Sequence, residues 1–214
     1  MKAIYDRFAE LLTNEDKAGA IRYALELLED GSIAVSDLYE TILGPVLNQF
    51  HCPENDDSCI WREHVRTSIV RSIVEIAYPY VLKAKASPNY HAVGKKALVV
   101  CPPEEYHEIG ARMAADFFEL AGFDVKFVGA NTPVRDILAA VRFFAPDVVA
   151  VSVTNYYNLV KTYELIERIQ AERPSVRIAL GGNAFRDPAH VKCVGCGEAV
   201  QSFRDIVALG EELR

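Results

Sequence analysis

The sequence predicts an α/β protein in which an N-terminal helical bundle precedes a five-stranded parallel sheet of flavodoxin-like order. Apolar residues recur at helical spacing through the first half of the chain. A stretch rich in turn residues, "SPNYHAVG", follows. After it, short apolar runs alternate with helical patterns, as in βαβ units. We therefore expect a helical cap bundle over residues 1–86, a linker over 87–94 and an α/β domain over 95–214.

Four or five helical segments are expected in the bundle. The first is the amphipathic "AIYDRFAELL". The second, "DKAGAIRYALELLEDG", ends at Gly31, which suits the left-handed position just past a helix. Ser36 is the expected N-cap of the third, "DLYETILGPVLNQF". Gly44-Pro45 should kink or split that helix, because proline removes a backbone donor and clashes with the preceding turn. The fourth is the long run "CIWREHVRTSIVRSIVEIAYPYVLKAKA".

Five apolar runs predict the strands of the second half. They lack the alternation of a half-exposed strand, so helices should cover both faces of a parallel sheet. Crossovers of about a dozen residues suit right-handed βαβ connections. The order 2-1-3-4-5 is expected, and its crevice opens between the carboxyl ends of strands 1 and 3. The predicted strands are 96–101, 123–129, 148–153, 177–182 and 198–200, and the predicted helices 106–120, 133–144, 158–171 and 203–213.

The composition of the chain argues against several classes of function. The chain has 214 residues, half of them hydrophobic, and a net charge of −7. Binding to phosphates usually needs a basic face, so no direct nucleic-acid partner is expected. No apolar run approaches the roughly 18 residues that a membrane span requires, and "MKAIYDRFAELL" is too charged for a signal peptide. We expect a cytoplasmic protein, with its five cysteines as reduced thiols.

Polar and small residues collect at the predicted crevice. His107 follows strand 1, Ser152 and Thr154 end strand 3, and Gly181-Gly182 ends strand 4. The turn "CPPEEYHEIG" is unsuited to a dinucleotide, because prolines remove donors and carboxylates repel phosphate. Glu105 stands two residues before His107, and a metal-bound histidine usually donates its second ring N–H to a carboxylate. One such histidine beside glycines suits an axial ligand of a large metallocofactor better than a cage for a free ion, which needs three or four ligands.

The same residues carry a resemblance to a known family. "EYHEIG" resembles the D-x-H-x-x-G signature of cobalamin-binding domains, with Glu105, His107 and Gly110 at its fixed positions. "SVT", with Ser152 and Thr154, resembles that family's S-x-L, and the "GG" of strand 4 its paired glycines. Glu105 replaces the usual aspartate and Thr154 the usual leucine. The resemblance implies that His107 replaces dimethylbenzimidazole as the lower cobalt ligand, and that the displaced nucleotide tail runs past Ser152 and Thr154 towards the glycines.

The helical half extends the resemblance. It looks like the bundle that caps the upper face of the cofactor in this superfamily, and more narrowly like that of light-sensing cobalamin photoreceptors of the CarH/LitR type. Those carry a Glu-His pair on the helix over the cobalt, which Glu63-His64 matches. The resemblance implies that cobalamin (adenosylcobalamin, methylcobalamin or hydroxocobalamin) binds base-off between the two modules, with His64 a candidate upper axial ligand.

Two functions from different classes fit these observations. The first is a sensory or regulatory module, responsive to cobalamin or to light, that acts on a protein partner. The second is a corrinoid methyl carrier that serves separate methyltransferases. No stand-alone enzyme is expected, because the sequence offers neither a nucleophile–base–orienter trio nor paired carboxylates. A homo-oligomer is compatible with both functions. A scaffold that has lost cobalamin is a third, weaker hypothesis.

Cysteines and histidines suggest structural zinc as a further alternative. His51, Cys52 and Cys59 lie close to His64, and "HVKCVGC" holds a lone C-x-x-C. Zinc ligands usually come in pairs two to four residues apart, on turns in both halves of a site. Neither stretch has that arrangement, so the cobalamin hypothesis is favoured.

Overall fold

The structure is a computed structural model that describes residues 1–49 and 59–214, and of Cys193 the backbone alone. The described residues fall into two compact units, Met1–Ala84 and Lys85–Arg214. Within those described ranges, no helix combines the length and the apolar character needed to cross a membrane. Residues 87–94 connect the last helix of the first unit to the first strand of the second.

Helices form the first unit, and their apolar faces form its core. The first helix buries Phe8, Leu11 and Leu12. The second is capped by Asp16, whose carboxylate accepts from the Gly19 amide at 2.8 Å, and it buries four apolar residues. The elements are α1 (Lys2–Thr13), α2 (Lys17–Glu29), α3 (Val35–Asp37), a π-helical segment (Leu38–Leu43), α4 (Gly44–Asn48) and α5 (Cys59–Lys85).

Two of the three predicted helix signals in this unit are confirmed. Gly31 has a φ of 75° just past the end of α2, where a left-handed residue ends a helix. The Gly44-Pro45 interruption takes the form of the π-helical segment, in which the Gly44 amide donates to the carbonyl of Tyr39, five residues back. The N-cap prediction for Ser36 is wrong. Ala34 occupies that extended position and Ser36 lies inside α3.

One cysteine also departs from expectation. Cys59, the first residue of α5, is disulfide-bonded, so the prediction of reduced thiols is wrong for this residue. Cys101 and Cys196 are free thiols, as expected. An odd number of cysteines excludes a fully paired framework but does not exclude a single bridge.

A five-stranded parallel sheet forms the centre of the second unit, and its order is β2-β1-β3-β4-β5, which confirms the predicted order. Every residue of the central strand β3 is buried, as expected of a sheet covered on both faces. The strands are β1 (Lys96–Val100), β2 (Asp124–Phe127), β3 (Val148–Ser152), β4 (Arg177–Gly181) and β5 (Glu198–Ala199).

Alternate residues of each strand pack into two hydrophobic cores on opposite faces of the sheet. On β1, Leu98 and Val100 join the core formed with the helices over 134–144 and 159–172. Ala97 and Val99 join the other core, formed with the helices over 109–120 and 203–212. The second unit is therefore a three-layer, doubly wound domain. Its helices are α6 (Ile109–Leu120), α7 (Val134–Phe144), α8 (Leu159–Glu172), α9 (Pro188–Val194) and α10 (Phe203–Glu212).

Two details of the α/β unit differ from the sequence prediction. Helix α6 begins at Ile109 and not at residue 106, because Glu105–Glu108 are held in a loop by contacts with other segments. The short helix α9 was not expected. Its local signals are present nonetheless: Asp187 caps it by accepting from the Ala189 amide, and Gly195 ends it in the left-handed conformation.

Candidate cofactor site

The ends of β1, β3 and β4 place the predicted site residues at one edge of the sheet. The loop after β1 carries Glu105 and His107. Ser152, the last residue of β3, is buried and stands beside Gly181 of β4 in the strand register. Because β1 and β3 are neighbours whose connections leave in opposite directions, this edge is the switch point at which α/β sheets bind ligands.

His107 is fixed by the carboxylate two residues before it. Its ring Nδ1 lies 2.6 Å from Glu105 Oε1, and its backbone amide donates to the same oxygen at 3.0 Å. The histidine side chain is 59% exposed, whereas the glutamate side chain is completely buried. The imidazole therefore lies at the surface and is held there by a carboxylate that lies inside the protein.

The second oxygen of Glu105 is bound by the loop that follows β3. Glu105 Oε2 accepts from the Thr154 amide at 2.9 Å and from the Asn155 amide at 3.0 Å. The side-chain amide of Asn158 donates to the same oxygen at 3.4 Å. One carboxylate thus joins the loop after β1 to the loop after β3, about 50 residues further along the chain.

These hydrogen bonds keep Glu105 ionised although it is buried. Burial is the largest influence and raises the pKa of Glu105. The hydrogen bonds from the His107 ring and from three backbone amides outweigh burial and hold that pKa at about 2. An ionised carboxylate can only accept hydrogen bonds, so the neutral His107 ring must carry its proton on Nδ1. Nε2 then holds the ring lone pair, which is the donor that a metal ion requires.

Close backbone approach requires glycine at position 182, at the end of β4, and leaves little room for a side chain at Gly181. Gly182 has a φ of +93°, and a Cβ built there would lie 2.4 Å from the carbonyl oxygen of Val153. A Cβ at Gly181 would lie 3.3 Å from the carbonyl oxygen of Val200. Gly182 therefore lets the loop after β4 pack directly against the residue that links Ser152 to Thr154.

Gly110 differs from that pair. It lies in the first turn of α6, is exposed, and a Cβ placed there would have no atom within 4 Å. The fold therefore leaves room for a side chain at this position. A requirement for glycine here would have to come from something outside the chain, such as a bound ligand.

Glu63 and His64 lie in the other unit. Both are exposed residues near the start of α5. They are consecutive on a helix, so their side chains point in directions about 100° apart and do not face each other. The structure therefore assigns this pair no arrangement like that of Glu105 and His107.

The loop after β1 has polar partners that sequence reasoning missed. Asn131, in the loop after β2, accepts from the Glu104 amide at 2.8 Å and donates its own amide to the Glu105 carbonyl at 2.8 Å. Asn155 and Asn158 hold Glu105 from the loop after β3. Asparagine suits such turns, because its short amide bonds to nearby backbone and it tolerates a positive φ. That preference was a usable signal for loops but did not reveal their partners.

The part of the chain that the structure describes gives the zinc hypothesis no support. Among the described residues, no group of three metal-ligating side chains is found. His51 and Cys52 lie outside the described residues, as does the Cys193 side chain. Burial, together with the charges of Glu105 and Glu108, raises the pKa of Cys101 to about 12, so that thiol stays protonated at neutral pH.

Comparison with known proteins identifies the α/β unit. The model of the B12 binding domain family matches residues 95–207, which is more than half of the chain. The solved structure of the Methanosarcina barkeri monomethylamine corrinoid protein superposes with a TM-score of 0.79 and 18% identity, over 100% of this chain and 99% of that one. At this identity the superposition shows a shared fold.

Two curated relatives have different described roles. The chain is 24% identical over 155 residues to the HTH-type transcriptional repressor CarA of Myxococcus xanthus, covering 72% of this chain and 51% of the repressor. It is 24% identical over 131 residues to dimethylamine corrinoid protein 3 of Methanosarcina mazei, covering 56% of this chain and 78% of that protein. The chain thus spans about half the length of the repressor.

Proposed function

Because this chain belongs to the B12 binding domain family, we propose that it binds its cofactor base-off, with His107 as the lower axial ligand of cobalt. Cobalamin, the cofactor that the three sequence motifs predict, is confirmed by the family match and by the corrinoid relatives. The fold class is likewise confirmed.

The contact between Glu105 and His107 carries the proposal. The residues present fit a cobalt ligand in a respect that is independent of the family: the carboxylate fixes the Nδ1 proton, so the lone pair belongs to Nε2 of an exposed ring. A buried carboxylate is costly to desolvate, and this one is compensated by five N–H donors that converge on its two oxygens. Its position behind an exposed imidazole supports a ligand-positioning role.

The remaining residues of the three motifs receive roles in the same proposal. Ser152 and Thr154 contact the displaced nucleotide tail. Gly181 and Gly182 leave a path without side chains where the tail enters. Gly110 lets the corrin approach the start of α6. The empty space around a Cβ at Gly110 supports this assignment. When bound, the corrinoid supplies the chemistry, because its cobalt carries an exchangeable upper ligand.

The lower ligand can be tested by magnetic resonance. Protein labelled with nitrogen-15 in histidine alone is loaded with cobalamin, reduced to the paramagnetic cobalt(II) form and examined by EPR. A histidine ligand gives the nitrogen-15 coupling pattern, and dimethylbenzimidazole gives the nitrogen-14 pattern whatever the label. We expect the nitrogen-15 pattern in the parent and its loss in His107→Ala. His91→Ala, which removes another exposed histidine of the same unit, is the control and should leave the pattern intact. A nitrogen-14 pattern in the parent contradicts the proposal.

For the biological role we propose a sensory or regulatory module that acts on a protein partner. The sequence match to a transcriptional repressor covers most of this chain, and Glu63-His64 supplies a candidate upper ligand in the helical half, residues 1–86. In this proposal, loss of the upper ligand, on illumination or exchange, allows His64 to bind cobalt and changes the surface that the partner recognises. The acidic chain binds that partner and not nucleic acid itself.

A corrinoid methyl carrier is the second candidate. A specific observation favours it: the dimethylamine corrinoid protein is matched over 78% of its length, and the monomethylamine corrinoid protein shares the fold over the whole chain. In this role the protein presents its cofactor to separate methyltransferases, and His107 holds the cobalt from below while the methyl group is exchanged. His64 then has no part in ligation.

His64→Ala separates the two candidates. The parent and the variant are loaded with adenosylcobalamin, exposed to green light and followed by absorption spectroscopy, with His91→Ala as the matched control. A regulatory module predicts that light produces a stable bis-histidine spectrum, which His64→Ala abolishes and His91→Ala retains. A carrier predicts identical spectra for all three proteins, together with reduction and remethylation of the bound corrinoid by a methyltransferase partner.

A further inference from the structure

The loop that follows β2 is hydrogen-bonded to the loop that carries His107. Glu108 Oε2 accepts from the Ala130 amide at 2.9 Å. Asn131 makes two further bonds, one through its side chain and one through its backbone. The His107 loop is therefore held from the β2 side by this loop and from the β3 side through Glu105.

Asn131 makes two hydrogen bonds to the backbone of Glu104 and Glu105. Its side-chain Oδ1 accepts from the amide of Glu104, immediately before Glu105, at 2.8 Å. Its backbone amide donates to the carbonyl of Glu105 at 2.8 Å. One residue thus holds the Glu104–Glu105 segment at both of its ends, the Glu104 amide and the Glu105 carbonyl. The direction in which the Glu105 carboxylate leaves the chain depends on these two bonds.

The segment that Asn131 holds is in an unfavourable conformation. Glu104 has a φ of 67°, in the left-handed region that glycine or asparagine usually occupies. It is the third residue of a turn closed by the Glu105 amide and the Pro102 carbonyl, at 3.1 Å. Such a residue costs about 1–3 kcal/mol and persists only where its surroundings enforce it. Asn131 holds the backbone of Glu104, and an ion pair with Lys161 holds its side chain.

We propose that Asn131 is a positioning residue for the lower cobalt ligand. It holds Glu104 in the strained turn. That turn directs the Glu105 carboxylate towards His107 Nδ1 and towards the Thr154 and Asn155 amides. This inference rests on the proposed role of His107 but concerns a residue outside the three motifs. Asn131 itself has a φ of 47°, so its identity is constrained both by the backbone and by the need for an acceptor.

Two substitutions separate the side chain of Asn131 from its backbone conformation. Asn131→Gly keeps the left-handed φ accessible and removes the acceptor. Asn131→Asp tolerates the same φ and keeps an oxygen at the same distance. Thr132→Val is the control for general loosening of the loop, because it removes the hydrogen bond from Thr132 Oγ1 to the Gly129 carbonyl (3.1 Å) and leaves Asn131 in place.

The first measurement uses apoprotein and needs no cobalamin. Nitrogen-15 NMR of the neutral His107 ring reports the ratio of the Nδ1–H tautomer to the Nε2–H tautomer. We expect Asn131→Gly to lower this ratio about fivefold, the effect of weakening one hydrogen bond. Asn131→Asp and Thr132→Val should retain the parent ratio. An unchanged ratio in Asn131→Gly overturns the proposal, and so does an equal fall in Thr132→Val.

The second measurement uses cobalamin-loaded protein and distinguishes this inference from the proposed ligation. The histidine coupling in the cobalt(II) EPR spectrum gives the fraction of protein in which a histidine binds cobalt. We expect a smaller fraction in Asn131→Gly and the parent fraction in Asn131→Asp. Histidine coupling that is equal in the parent and in Asn131→Gly overturns the positioning role while leaving the ligation proposal intact. Absence of histidine coupling in the parent overturns the ligation proposal, and the apoprotein ratio then decides the positioning role alone.

Discussion

The α/β unit and the helical unit each carry a glutamate one or two residues before a histidine, and the two pairs have different surroundings. Glu105 is completely buried and accepts hydrogen bonds from two loops, while the His107 ring that it holds is exposed. Glu63 and His64 are both exposed on one helix. Burial of the acid therefore matters more than its distance in sequence from the histidine, because a buried anion fixes its partner and a solvated one does not.

In the proposed ligation, the same difference separates the two histidines. His107 has a fixed tautomer and a fixed orientation before any metal binds, so little conformational entropy would be lost on ligation. His64 would have to be ordered on binding, which would make it a weaker and more easily exchanged ligand. These two properties suit the proposed permanent lower ligand and the proposed exchangeable upper ligand.

Among the substitutions that test the difference between the two Glu–His pairs, Glu105→Gln should have the largest effect on stability. Glutamine has about the same size, but its NH₂ group would face N–H donors that now point at the carboxylate. We expect the free energy of unfolding of the apoprotein to fall by about 3–5 kcal/mol, measured by urea denaturation. Glu105→Asp, which keeps the charge, should lose much less. Equal stability of the parent and Glu105→Gln would show that the carboxylate is not an anchor.

Acid should remove part of the same stability. The pKa of Glu105 is about 2 in the folded protein and 4.5 in the unfolded chain, so the folded state favours the ionised form. This contribution, about 3 kcal/mol, is complete above pH 4.5 and is lost as the pH falls towards 2. The difference in unfolding free energy between the parent and Glu105→Gln should therefore shrink between pH 5.5 and pH 3. A difference that is constant with pH would contradict the assignment.

Glycine substitutions test whether the scaffold around the anchor is equally fixed. Gly182→Ala should destabilise the protein by about 2–3 kcal/mol, because it adds a Cβ 2.4 Å from the Val153 carbonyl oxygen at a φ of +93°. Gly110→Ala, in open space on α6, should raise stability by about 0.5–1 kcal/mol. Chemical denaturation of the apoproteins measures both. Cobalamin affinity that falls in Gly110→Ala despite this gain would support contact of the corrin with α6.

The smallest effect is expected in the helical unit. Glu63→Gln and His64→Ala each change an exposed side chain of α5. The free energy of unfolding of the apoprotein should change by no more than about 0.5 kcal/mol, since surface substitutions rarely exceed that value. Thermal denaturation of the two variants provides the measurement. A loss comparable to that of Glu105→Gln would show that the two pairs are alike after all.

Local sequence signals predicted much of the architecture. The strands were recognisable because β3 and its neighbours are continuously apolar, and the order expected of five such strands in a flavodoxin-like sheet is confirmed. Glu105 and His107 were recognisable as a pair because they are two residues apart. Helix α9 and the start of α6 at Ile109 were missed, since both depend on capping and loop contacts that outweigh a weak apolar pattern.

Local patterns in the sequence were enough to predict the fold class, the family and the cofactor, because apolar periodicity and short motifs depend on residues close together in the chain. How the histidine is held became evident from the folded chain alone. The donors to Glu105 at Thr154 and Asn155, and the two bonds of Asn131, join segments about 25 to 50 residues apart. No local pattern encodes such pairings, since they exist only after the sheet has brought the ends of β1, β2 and β3 together.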